Sequence, residues 1–341
     1  MLLVAGLSSL QLGQRPFVLD EGLSLAHAQN TWGGVLRGAP IPLDPNPNMS
    51  LYFAALKIWT GIFGDSVVAA RSLSVVAAVL CVPVVYALGA RLFGIPAGLL
   101  AGVLISTNVF FLEYAQVVRS YALLTLLVTV SSYFFVAEFE RPRMSSHAGY
   151  VAFAVLAFYA HAFAIWVILV QVLILAAFKR REALSRRWLR TFGLVGVLIA
   201  PMAIAMQRTG GSGFYWVEDP DLGAIPATYG QLAGNGFLHL AIVAVACAFA
   251  LRAARHSKPL AFGLAFTASW AFLPTLATFA ISEVAQPILV AKYLIVSLPA
   301  FVLLAAGAIV NVRPVRAAVV AGCLLVALSL PELHRYYDWP T

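Results

Sequence analysis

The chain has 341 residues, of which 62% are hydrophobic and only 11% charged, with a mean hydropathy of +0.90. A soluble globular domain is nearer half apolar and a quarter charged, so there are too few charges here to cover a water-facing surface, and the excess apolar surface must meet lipid. The net charge of +8 does not indicate a nucleic-acid partner, because the Lys and Arg lie in short stretches between apolar runs, where they orient helices in a bilayer.

The apolar runs are long, rich in Leu, Val and Ala, and lack the two-residue alternation of an outer-membrane barrel, so helices are the predicted spanning element. The stretch from Met1 to about Gly13 is shorter than the ~20 residues of a full span and lacks the positive start of a signal peptide; it reads as the end of a first helix. Further runs follow at roughly 66–90, 95–112, 120–138, 148–161, 163–178, 191–207, 237–251, 259–281, 293–310 and 315–331. The stretch 148–178 is nearly continuous, but its length exceeds one comfortable span and Tyr159-Ala160-His161 falls midway, so it divides into two. The predicted fold is therefore all-α, a polytopic transmembrane bundle of about eleven helices over 1–331, followed by an outer tail at 332–341. Cys81, Cys247 and Cys323 all lie inside apolar runs without metal-ligand spacing and read as small buried hydrophobes.

Charge sets the orientation. One set of alternate connections carries Arg91, Arg141, Arg143, Lys179, Arg180, Arg181, Arg186, Arg187, Arg190, Arg252, Arg255, Lys258, Arg313 and Arg316. The other holds only Arg15, Arg37, Lys57, Arg71, Arg119, Arg208, Lys292 and Arg335, spread through longer loops. The first set is assigned to the cytoplasm by the positive-inside rule, in a cell (plasma or inner) membrane. The outer side then receives a loop at about 14–65, with the Pro-Asn stretch 44–48 and an interfacial helix at 49–63, and a second loop at about 208–236 with Tyr215, Trp216, Glu218, Asp219 and Asp221. The last three acids read as solvated.

Four polar clusters fall on that outer face. Asp20-Glu21 follows the first helix, where a partly desolvated carboxylate can have a raised pKa and act as a general base; the alternative is an acidic pair at a helix start. Glu113, Tyr114, Gln116, Arg119 and Tyr121 form a second cluster, in which Arg119 can pair with a lipid phosphate or serve as an interfacial anchor. His161 sits at a turn, and Lys292-Tyr293 begins a span. A site among them would meet a lipid-borne phosphate at the head-group level.

These residues sit in strings that resemble the GT-C superfamily of membrane glycosyltransferases, nearest to its protein O-mannosyltransferase-like and lipid A aminoarabinose transferase-like bacterial groups. FVLDEGLSLA resembles the acidic motif after helix one, and NMSLYFAALKIWTGIFGDSVVAARSLSVV the His-Pro-Pro-Leu-Tyr-Tyr segment with its following Phe-Gly and Arg. YAQVVRSYALL resembles Tyr-Ser-Gln-Glu-Ala-Arg-Met-Tyr-Ala-Leu, YAHAF resembles Tyr-Thr-His-Tyr-Phe, and AKYLIVSLPA resembles the Pro-Arg-Tyr-Leu segment. The resemblance covers nearly the whole chain. It implies a GT-C-type bundle and inverting transfer of a hexosyl or pentosyl group from a polyprenyl-phosphate donor to a glycan, lipid or protein acceptor. Asp20 would be the general base and Glu21 its support. Arg119 and Lys292 would hold the donor phosphate, with Tyr121, Tyr293, His161, Asn48, Gln116 and Glu113 around it. Asn48 stands where the family has His, and Val117 where it has Glu, so a second acidic group is absent unless Glu113 substitutes for it. Relatives are usually longer, and 332–341 falls where their outer soluble domain would begin. No cofactor is predicted; Asp20 and Glu21 could take a divalent ion, but no full ligand set is visible. Two other readings stay open, a lipid-linked-sugar flippase and a catalytically inactive relative.

Overall fold

A computed structural model describes residues 1–37, 48–208, 216–234 and 236–338. The stretch 44–47, Tyr215 and the last three residues of the expected tail lie outside them. Among the described residues the regular structure is helical throughout.

In chain order the elements are α1 (Leu2–Ser9), α2 (Leu19–Gln29), α3 (Trp32–Arg37), α4 (Ser50–Phe63), α5 (Val67–Phe93), α6 (Ile95–Thr107), α7 (Val109–Ala115), α8 (Tyr121–Glu140), α9 (Met144–Ala160), α10 (Ala164–Phe178), α11 (Arg180–Ala183) and α12 (Arg186–Arg208). They continue with α13 (Ala224–Leu232), α14 (Phe237–Ala254), α15 (Lys258–Val284), a 3-10 segment (Ala291–Ser297), α16 (Leu298–Val310) and α17 (Val315–Asp338). Each expected apolar run is helical. Among the described residues six helical segments are long and apolar enough to cross a membrane, and the α6–α7 pair, bent by 62°, makes a seventh if it is counted as one span. The other expected runs form shorter helices, α1, α9, α10 and α14, of which α9, α10 and α14 are apolar helices below the length of a full crossing.

One main core organises the bundle. The segment Ala291–Val310 is almost wholly buried in it, whereas α12 and α17 present most of their surface outward, as lipid-facing helices do. In the same core Phe135 of α8 meets Tyr150, Trp188 and Phe266 at centroid distances of 5.7 to 5.8 Å. α5 and α6 pack closely because Gly98 has no side chain; a Cβ there would lie 2.5 Å from the Tyr86 carbonyl oxygen.

The two ends of α5 lie in chemically distinct surroundings. At one end Arg91 Nε bonds Glu140 at 3.0 Å, Lys179 Nζ bonds the Phe139 carbonyl at 2.8 Å, and Arg187 pairs with Glu138. The opposite end holds α2, α3 and α4 as a layer, with His27 stacked on Phe53 at 4.3 Å and Lys57 Nζ donating to the carbonyls of Ala28 and Asn30. α4 is the helix expected at 49–63, and α2 is the helix expected to start beside Asp20-Glu21; α3 was not expected. Residues 332–338, placed in the expected outer tail, are helical and continue α17. Its end packs on the bundle: Tyr336 and Tyr337 donate hydroxyl bonds to Gln116 Oε1 and the Leu7 carbonyl, each at 2.6 Å.

Candidate active site

The site is assembled where three chain breaks meet. The first is Asn108, whose side chain accepts from Phe111 N–H at 2.9 Å to cap α7 and donates to the Leu232 carbonyl at 2.9 Å. This turns the end of the α6–α7 run inward and delivers residues 116–120. The second is the start of α2, where Val18 N–H donates to Glu21 at 3.2 Å and fixes the first turn. The third is the break before α16, which carries Lys292.

Arg71, entering α5, joins them. Its Nε and Nη2 bind the two oxygens of Glu21 at 2.8 and 2.7 Å. Its remaining donors hold the carbonyls of Leu12, Arg15 and Pro16 at 2.8 to 3.1 Å. Glu21 Oε1 also accepts Val118 N–H at 2.9 Å, and Ser74 Oγ bonds the Val117 carbonyl at 2.7 Å. The backbone on both sides of Val118 is thereby pinned to α2 and α5. Glu21 was expected beside Asp20 as catalytic support. It is instead fully buried, and both of its oxygens are committed to Arg71 and main-chain N–H groups.

The pinning aims Arg119 at Asp20. Arg119 Nη2 lies 2.8 Å from Asp20 Oδ1, and Lys292 Nζ lies 3.0 Å from Oδ2, so one carboxylate bridges two cations. Lys292 sits 5.2 Å from the ring centre of Trp216 and 5.8 Å from that of Tyr293. Partial burial raises the Asp20 pKa, but the charges of Arg119 and Lys292 together outweigh it and hold the carboxyl below its ordinary value. The raised pKa expected from desolvation is overturned for that reason.

Asp20, Glu21, Glu113, Gln116, Arg119, Tyr121 and Lys292 all line one hollow of about 290 Å³, closed on its far wall by Arg15 and Tyr336. Arg15 stacks on the Tyr336 ring at 4.0 Å. Gln116 lines the hollow but its side chain serves the fold, donating to the carbonyls of Ser8 and Leu10 and accepting from Tyr336. Tyr293, His161 and Asn48 stand behind Tyr121 rather than in the hollow. The His161 ring is 6.1 Å from Tyr121 and 5.0 Å from Tyr293, and its Nε2 is 3.2 Å from Asn48 Nδ2. Burial first, then Arg119 and Lys292, push the His161 pKa down to about 3, so the ring is neutral. Sequence reasoning passed over Arg15 and Tyr336, which lie 321 positions apart and meet only in the fold. Arg71 carried a readable signal as an ionisable residue entering an apolar helix. No group of three His, Cys, Asp or Glu side chains able to hold a metal occurs among the described residues.

Comparison with known proteins places this geometry. The family described as dolichyl-phosphate-mannose-protein mannosyltransferase matches residues 46–205. ArnT from Cupriavidus metallidurans in the apo state superposes with a TM-score of 0.64 at 15% identity, covering 92% of this chain and 60% of ArnT. The chain shares the fold of ArnT. ArnT bound to undecaprenyl phosphate gives a TM-score of 0.63 at 14% identity, with the same 92% and 60% coverage. The Archaeoglobus fulgidus oligosaccharyltransferase, crystallised with Zn and sulfate, gives 0.60 at 16% identity, covering 99% of this chain and 52% of its own. The shared fold thus spans between about half and three-fifths of the length of these proteins. No curated protein sequence matches the chain.

Proposed function

We propose that the chain is an inverting glycosyltransferase that moves a sugar from a polyprenyl-phosphate donor to an acceptor hydroxyl, at the non-cytoplasmic face of the membrane. The observation that carries this reading is the Arg119–Asp20–Lys292 array in the shared hollow, two cations each within 3.0 Å of an oxygen of one carboxylate. The ArnT structure with undecaprenyl phosphate supports a lipid-phosphate donor. The concentration of Lys and Arg at the opposite end of the bundle supports the outward placement.

In the reaction the acceptor oxygen bonds the anomeric carbon from the face opposite the phosphate while its proton passes to Asp20. The bond from that carbon to the phosphate oxygen breaks, its electron pair leaves with the polyprenyl phosphate, and the added negative charge falls on Arg119 and Lys292. Donors fixed where charge develops are commonly the largest catalytic contribution. Tyr121 forms part of the wall, with neutral His161 and Tyr293 supporting it from behind.

The test is sugar release or transfer from a radiolabelled undecaprenyl-phosphate sugar by the purified protein and its Asp20→Asn variant. Transfer by the wild type and a loss of more than about 100-fold in the variant is expected, in the range of general-base catalysis. Full transfer by the variant would remove Asp20 as the base. Movement of labelled lipid across vesicles without transfer would replace the enzyme with a flippase.

A further inference from the structure

The proposed roles make competing demands on the same atoms. Asp20 is to take a proton from the acceptor, while Arg119 and Lys292 are to hold the donor phosphate. In this structure Asp20 itself occupies both cations, one oxygen on each, at 2.8 and 3.0 Å. A carboxylate presents two oxygens on one atom sharing one negative charge. The two non-bridging oxygens of a phosphodiester do the same, and Arg and Lys accept either. Carboxylate and phosphate are therefore rival occupants of one cation pair.

The surroundings decide which partner yields. The Arg119 side chain is about 10% exposed, and the pinned Val117–Arg119 backbone fixes its base. Lys292 is 24% exposed and is faced by the Trp216 and Tyr293 rings. Asp20 is 40% exposed, sits on the first turn of α2, and faces a hollow large enough to receive it in another rotamer. The carboxylate is the member free to move.

We propose that Asp20 holds the place of the donor phosphate in the ligand-free protein, and that the arriving phosphate displaces it from Arg119 and Lys292. The base is then released only when the donor is in place, so the donor binds before the acceptor is activated. This rests on reading the hollow as a polyprenyl-phosphate site. A carboxylate in contact with two cations is a poor proton acceptor; once the phosphate screens both, its basicity returns.

The test is equilibrium binding of undecaprenyl phosphate to purified wild type, Asp20→Asn and Asp20→Ala in 0.1 M and 0.5 M NaCl. A competitor engaged nine-tenths of the time lowers apparent affinity about tenfold, so both variants are expected to bind about tenfold more tightly than wild type. The gain should persist at 0.5 M salt, where the screening length is roughly 4 Å and general attraction is damped. Equal or weaker binding by both variants, with the wild type still binding, would overturn the displacement and leave the transferase reading standing. A gain that disappears at high salt would overturn it too, as a general charge effect. Absence of binding in all three proteins would overturn the transferase reading itself. Because both variants alter a half-exposed side chain, folding is checked by their elution and melting profiles, and a gain in either folded variant suffices.

Discussion

The Glu21–Arg71 pair makes the most exacting test of how the hollow is held. Replacing Glu21 by Gln keeps the shape of the side chain and removes its charge. Arg71 would then be left buried, at 3% exposure, with no carboxylate opposite its Nε and Nη2. The Gln amide could face its oxygen toward Val118 N–H or toward Arg71 but could not serve all the donors that converge on Glu21. Breaking a buried pair from one side costs about 3–5 kcal/mol. At about 1.4 °C per kcal/mol, the value that the per-residue unfolding entropy gives for 341 residues, the melting midpoint in detergent should fall by roughly 4–7 °C. Arg71→Met should cost a similar amount, because it leaves Glu21 as the unmatched charge. The double variant Glu21→Gln, Arg71→Met removes both charges and should regain at least about 2 kcal/mol relative to the sum of the single losses, since replacing a whole buried pair is far less costly than breaking it. The assay is a double-mutant cycle on melting midpoints, with undecaprenyl phosphate binding measured in parallel. Additive losses, with no recovery in the double variant, would refute the claim that this pair organises the site.

How much of this was legible in the sequence can be argued residue by residue. The division of 148–178 at His161 was readable because its length exceeds one span, and the structure breaks the helix there. The bend at Asn108 was not, because a single Asn barely interrupts the apolar run 95–112; its effect comes from a bond to Leu232, 124 positions away. Asp20 and Glu21 were read as one acidic pair. Neighbours on a helix point in different directions, and here Asp20 meets Arg119 and Lys292 while Glu21 meets Arg71. Which would be which depended on where α5 and the 116–120 segment lay, information no local string contains. Glu113 and Val117 both line the hollow. The expected pKa of Asp20 had the wrong sign because the two cations that set it come from positions 119 and 292. A linear reading can place all three residues on one face of a membrane without showing that they touch.

Three further perturbations follow from the packing and the electrostatics. Gly98→Ala places a Cβ 2.5 Å from the Tyr86 carbonyl oxygen, a backbone atom, so α5 and α6 must separate; a loss of about 1–3 kcal/mol is expected, read as a lower melting midpoint. Asn108→Ala removes the α7 cap and the bond to Leu232; about 1–2 kcal/mol should be lost, with weaker undecaprenyl phosphate binding because residues 116–120 are no longer delivered in register. His161 gives a pH dependence whose sign can be worked out. Its folded pKa, about 3, lies below the unfolded value of 6.5, so the unfolded chain binds the extra proton. Above pH 6.5 His161 contributes no slope. Below it, stability falls by up to about 1.4 kcal/mol per pH unit, and the loss levels off only as the pH passes through the folded pKa. Asp20 contributes nothing to this window, because its own depressed pKa moves its loss of stability below the ordinary carboxylate range near pH 3.8. Melting midpoints of wild type and His161→Gln, measured from pH 7.5 down to pH 4.5, should therefore diverge from each other only below about pH 6.5, with the variant showing the shallower decline. Parallel curves would mean that the ring can take up a proton in the folded state, and that the burial and cations assigned to keep it neutral do not do so.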